Sequence, residues 1–87
     1  MTTEYYFWEG NTIVRKSSLP EIRKTFIKKH GKNHATNIFR KGHSGYPAGR
    51  IYYVGGDWIY DNYENDNKYI TNENGNVIEN LGRRYII

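Results

Sequence analysis

Apolar positions along this chain alternate between a strand-like period of two and a single stretch of helical period. From Glu4 to Trp8 the β-favouring run Tyr5-Tyr6-Phe7-Trp8 precedes the turn-forming Glu9-Gly10-Asn11. Thr12 to Lys16 resumes with Ile13 and Val14, which predicts an opening hairpin. Ser18-Leu19-Pro20-Glu21 then fits a capping box. In that motif the Ser18 hydroxyl accepts from the Glu21 amide, and Pro20 is tolerated in the first turn because its missing N–H has no intrahelical acceptor there. Leu19, Ile22, Phe26 and Ile27 recur on one helical face, with Lys24, Lys28 and Lys29 on or near the other. Gly31 is a natural stop, and the lysines and His30 of the last turn suit the negative end of the helix dipole.

Beyond the helix, Ala35 to Lys41 carries Ile38 and Phe39 and reads as a strand, whereas Gly42 to Gly49, with three glycines and Pro47, reads as a loop. Arg50 to Val54 and Asp57 to Asp61 form a predicted hairpin about Gly55-Gly56. Asn62 to Asn67 is a polar loop, Lys68 to Asn72 turns at Asn74-Gly75 into Asn76 to Glu79, and Arg83 to Ile87 reads as a terminal strand. The sum is an α+β fold in one domain spanning residues 1–87. It predicts one amphipathic helix packed on a mostly antiparallel, strongly curved sheet of about six strands, in the order β-β-α-β-β-β-β-β.

The alternation leaves one question open. Tyr5 and Phe7 point one way and Tyr6 and Trp8 the other, and the same two-sided apolar character recurs at Ile51 to Val54 and Trp58 to Tyr60. A single helix covers a single face. Either the sheet closes like a barrel over both sets, or aromatic side chains stay exposed as a binding surface.

At 87 residues the chain has room for one core, and its 16% aromatic content argues for a folded domain over a disordered tail. The absence of cysteine excludes a disulfide framework and thiolate metal sites, which favours an intracellular, cytoplasmic setting. Met1 to Trp8 lacks the basic start and apolar run of a signal peptide, and no stretch approaches the length of a membrane span.

The net charge of +4 conceals a polarity. Residues 15 to 50 hold ten Lys or Arg against Glu21 alone, a net of +9, whereas residues 51 to 82 hold Lys68 against six carboxylates, a net of −5. A basic half attracts polyanions, because each neutralised phosphate releases condensed counterions. The first expectation is therefore a non-enzymatic protein whose basic half docks on nucleic acid or a nucleoprotein. The candidate contacts are Lys24, Lys28, Lys29 and Lys32 at the helix end, and Arg40, Lys41 and Arg50 around the glycine-rich loop, with Tyr46 and His43 placed to stack on a base. A solvated helix face is the plainer reading of Lys24, Lys28 and Lys29. The acidic stretch either faces away from such a partner or complements a charged protein surface.

His30 and His34 have a spacing that would share a helical face, but Gly31 lies between them and the segment has no thiolate or acidic pair, so no metal is expected. No nucleotide-binding glycine loop or nucleophile elbow is present, and no cofactor is expected. Arg40-Lys41-Gly42-His43-Ser44, followed by Tyr46, Pro47 and Gly49-Arg50, is similar to the glycine-histidine strand segment of HicA-type toxins, small ribonucleases of toxin–antitoxin pairs. That resemblance covers Arg40 to Arg50 only. It implies His43 as an acid or base on RNA, although here His43 precedes Ser44 where the family places serine first. Two alternatives to the docking protein follow: a stoichiometric inhibitor of a host defence protein, as phage and mobile elements encode against CRISPR systems, and a small toxin-type ribonuclease.

Overall fold

The computed structural model describes residues 3–43 and 45–83, so Ser44 and the Arg84 to Ile87 part of the predicted terminal strand lie outside the described residues. Seven strands and one helix follow in chain order. They are β1 (Tyr5–Glu9), β2 (Thr12–Lys16), α1 (Leu19–Lys29), β3 (Thr36–Arg40), β4 (Pro47–Val54), β5 (Asp57–Asn62), β6 (Asn67–Thr71) and β7 (Val77–Arg83). The α+β class and the element order are as the sequence predicts, but the strand count is seven rather than about six. The short segment expected at Asn76 to Glu79 is part of a longer strand, β7, which accommodates its irregular sequence by register shifts against β6. All neighbouring pairs are antiparallel, in the order β2-β1-β3-β4-β5-β6-β7.

The helix begins where the capping box places it. Ser18 is extended (φ −147°, ψ 157°), and its side chain accepts from the Glu21 amide at 3.3 Å. The helix ends at His30, whose backbone N–H still bonds Phe26 O. Its buried face is Ile22, Arg23 and Phe26, with Leu19 and Ile27 partly buried beside them. Phe26 meets Phe7 of β1 edge-on at 5.5 Å and Trp58 of β5 at 6.1 Å, and the core is completed by Ile38, Ile51 and Tyr60. In a chain of this size these few rings carry a large share of the burial free energy, at roughly 1.5–3 kcal/mol for each large side chain removed from water. The helix touches β1 through Phe26 and the β6–β7 turn through Gly75, although β6 and β7 stand four and five places from β1 in the sheet order, so the sheet wraps around it.

One boundary differs from the sequence reading. Pro47 to Gly49, expected as loop, belong to β4. Proline suits the first position of a strand. Gly49 lies directly against the Asp61 carbonyl and the Tyr60 hydroxyl, where a Cβ would collide with both. Glycine here marks a close approach inside the sheet rather than a turn.

Candidate nucleic-acid interface

Strand alternation and the measured register sort every side chain of the sheet to one of two faces. Tyr5, Phe7, Val14, Ile38, Ile51, Tyr53, Trp58, Tyr60, Tyr69 and Thr71 lie on the helix side. The opposite face has no helix. It carries Tyr6 and Trp8 of β1, Ile13 and Arg15 of β2, Phe39 of β3, Arg50, Tyr52 and Val54 of β4, and then Asp57, Ile59 and Asp61 of β5. Among the described residues the sheet does not close on itself: β2 and β7 are its outer strands. The barrel reading fails for that reason, and aromatic side chains do remain accessible.

The rings on this open face are ordered by one another. Tyr6 stacks on Phe39 with centroids 5.3 Å apart and planes at 17°, and Trp8 meets Tyr6 edge-on at 6.4 Å while remaining 48% exposed. Cations flank them. Arg15 and Lys41 line a shallow groove of about 220 Å³ together with Tyr6, Ile13 and Glu4. The Arg50 guanidinium lies 5.3 Å from the Tyr52 ring centroid. The face is polarised: beyond Arg50, its cross-strand partner Asp61, with Asp57 and Glu79, begins an acidic half relieved by Lys68, whose Nζ is 4.0 Å from Asp61. The acidic stretch of the sequence thus lies beside the basic aromatic area, not across it.

Asp61 also accepts from the Tyr52 hydroxyl at 3.1 Å. Burial first, and then the Asp61 charge, push the Tyr52 phenol up to about 12 from its ordinary value of 10.0. Because the folded chain resists this ionisation, the associated stability is fully present below pH 10 and is lost as pH climbs through about 12. Urea midpoints measured across that window should fall, and Tyr52→Phe should reduce the fall. An equal decline in wild type and variant would remove this assignment.

The nine residues nominated from sequence do not form one patch. Lys41 and Arg50 belong to the open-face region just described. Arg40, His43 and Tyr46 surround a cavity at the end of the sheet where the β3–β4 and β5–β6 loops meet. There Arg40 Nη2 is 3.2 Å from Glu64 and 2.6 Å from His43 Nε2, so a later carboxylate partly neutralises it. The helix lysines sit on the other side of the sheet, towards its opposite end. Lys28 and Lys32 line a trench with His30, Trp58, Glu73 and Asn74, and Lys32 Nζ lies 4.8 Å over Tyr53. Lys29 and His30 are bound to Glu9 at 3.5 and 2.8 Å, and Lys24 is half-buried along the helix. A single surface joining all nine is thereby corrected. Sequence charge counting could not see that β2 and β4 lie on either side of β1 and β3, whereas the helix crosses the far face.

Tyr6, Trp8, Arg15, Phe39 and Tyr52 were not nominated, although the opposed alternation of Tyr6 and Trp8 against Tyr5 and Phe7 already signalled them. Among the described residues no group of three or more His, Asp or Glu is placed to hold a metal ion, and no helix is long and apolar enough to cross a membrane. Compared with known proteins, the chain matches no family profile, no curated relative and no solved structure.

Proposed function

We propose that this protein binds single-stranded nucleic acid on the helix-free face of its sheet, over β2, β1, β3 and β4, without acting as an enzyme. One observation carries the reading: the stacked, partly exposed Tyr6–Phe39 pair and the half-exposed Trp8 lie between Arg15, Lys41 and Arg50. Aromatic faces accept the faces of unpaired bases, and flanking guanidinium and ammonium groups take the phosphates between them. Base pairs in a duplex hide those faces, so an unpaired strand fits better. The acidic half over β5 to β7 bounds the footprint and repels the strand from that side.

Anisotropy titrations with labelled single-stranded DNA and RNA test this. Three phosphate contacts should give a slope of log K against log salt of roughly −2, at about −0.7 for each phosphate on a single strand. Duplex of equal length should bind more weakly. No binding at low salt, or binding indifferent to salt, defeats the reading.

A protein partner is favoured by a different feature. Edge strand β7 leaves Val77, Ile78 and Leu81 43%, 62% and 44% exposed, an aliphatic rim suited to a protein surface. On that reading the chain is a stoichiometric inhibitor of a host protein. It would then form a stable complex with that protein that is lost on Ile78→Lys, and a complex unaffected by the substitution counts against this edge.

A further inference from the structure

The cavity at the β3–β4 and β5–β6 loops has a volume of about 390 Å³, ample for one nucleobase, and six of its lining residues carry recognition chemistry: Arg40, His43, Tyr46, Tyr63, Glu64 and Asp66. Its β5–β6 wall is pre-formed. Asn62 Oδ1 accepts from the backbone N–H of Glu64 at 2.9 Å and of Asn65 at 3.3 Å, Asn65 Oδ1 accepts from Asn67 N at 3.0 Å, and Tyr63 N donates to Ala48 O at 2.9 Å. A wall fixed before binding loses little entropy when a ligand arrives. The β3–β4 loop contributes Tyr46, which is 79% exposed, an unusual position for a large ring.

The lining combines tyrosine rings from two loops with carboxylates, which when ionised only accept hydrogen bonds, and with donors at Arg40. Glu64 Oε2 faces Arg40 Nη2, and Oε1 has no hydrogen bond among the described residues. Arg40 Nε is buried without a hydrogen-bond partner there. Guanine is the base whose Watson–Crick edge offers two adjacent donors, N1–H and the N2 amine, to a carboxylate. Its O6 and N7 accept from arginine. Adenine and cytosine place an acceptor nitrogen beside their amino group, and thymine and uracil flank a single N–H with carbonyls, so each would set an acceptor against Glu64.

We infer that this cavity takes one guanine of the strand bound on the open face, stacked on Tyr46, with the Glu64 carboxylate accepting from its N1–H and N2 amine. This inference rests on the nucleic-acid reading above. One loop serves both sites: its Lys41 and Gly42 line the open-face groove, and its His43 and Tyr46 line the cavity.

The test uses the full chain and labelled oligothymidylates that differ at one internal position, thymine, guanine, inosine or adenine; the strand can slide to bring that base to the cavity. Guanine should bind roughly tenfold or more tightly than thymine or adenine. Inosine, which lacks only the N2 amine, should lose most of that advantage, and Glu64→Gln should abolish it while leaving oligothymidylate affinity in place. The inosine comparison changes the ligand alone, so it does not depend on how the variant folds. Equal affinity for all four oligonucleotides overturns the guanine assignment and leaves the open-face reading standing, as does a guanine preference that inosine reproduces. Absence of binding to every oligonucleotide overturns both.

Discussion

Trp8→Ala should weaken binding of a single-stranded oligonucleotide by roughly tenfold or more, with little change in thermal stability. A base stacked on an aromatic side chain contributes about 1–3 kcal/mol, and 1.4 kcal/mol is a factor of ten in affinity. Trp8 is 48% exposed and packs on Tyr6 by an edge, so its removal opens little of the core. The cations beside it should behave differently from the ring. Arg15→Ala and Lys41→Ala should each lower affinity uniformly across sequences and reduce the magnitude of the salt slope by about 0.7 for each phosphate lost. Lys28→Ala is the informative control, since Lys28 lines the trench on the far side of the sheet. An oligonucleotide that loses affinity on Lys28→Ala and keeps it on Trp8→Ala has bound the helix end, and the open-face site is then wrong.

That contrast shows where sequence reading reached and where it stopped. The helix was legible to the residue, because Ser18, Pro20 and Glu21 act through local backbone geometry that needs no tertiary context. The hairpin at Gly55-Gly56 was legible for the same reason, with both glycines at positive φ. The alternation of Tyr5 to Trp8 also fixed which rings oppose which. It could not fix which face the helix covers, since both faces of β1 are equally aromatic. Arg23 was passed over: its periodicity with Phe26 places it inward, but a charge is rarely counted as core, and here it is 4% exposed. Pro47 to Gly49 read as loop because composition cannot tell a turn glycine from one pressed against a neighbouring strand. The site was the least legible part. Lys24, Lys28 and Lys29 are close to one another in sequence, yet Arg15, Lys41 and Arg50 become neighbours of the aromatic face only through the pairing order β2-β1-β3-β4, a long-range fact with no local signature.

Gly75→Ala should damage the fold severely, lowering the thermal midpoint by about 10 °C or more. Gly75 has φ +83°, and a Cβ there would run into the Pro20 carbonyl and lie 2.7 Å from the Lys24 backbone nitrogen. Both obstacles are helix backbone and cannot swing aside as a side-chain end could. Left-handed backbone costs an L-residue roughly 1–2 kcal/mol, and overpacking adds about 1–3 kcal/mol. For a domain of this size each kcal/mol shifts the midpoint by roughly 4–8 °C. Gly56→Ala separates the two contributions: its φ is +90°, but a Cβ there meets nothing within 4 Å, so it pays for conformation alone. Equal losses at the two glycines would show that the helix does not press on the β6–β7 turn. Arg23 probes the same junction from the helix side, since its Nε donates to the Gly75 carbonyl at 2.8 Å while its guanidinium lies 4.9 Å from the Tyr60 ring centroid. Burial lowers the Arg23 pKa, with the neighbouring Tyr60, Tyr5 and Tyr69 opposing that shift, so the chain keeps a poorly solvated cation here to anchor the turn. Arg23→Met preserves the buried stem and removes that cation, and should therefore cost at least about 1 kcal/mol less than Arg23→Ala, which also empties the space. Equal losses in the two Arg23 variants would assign the stability to the Gly75 hydrogen bond rather than to packing beneath the helix.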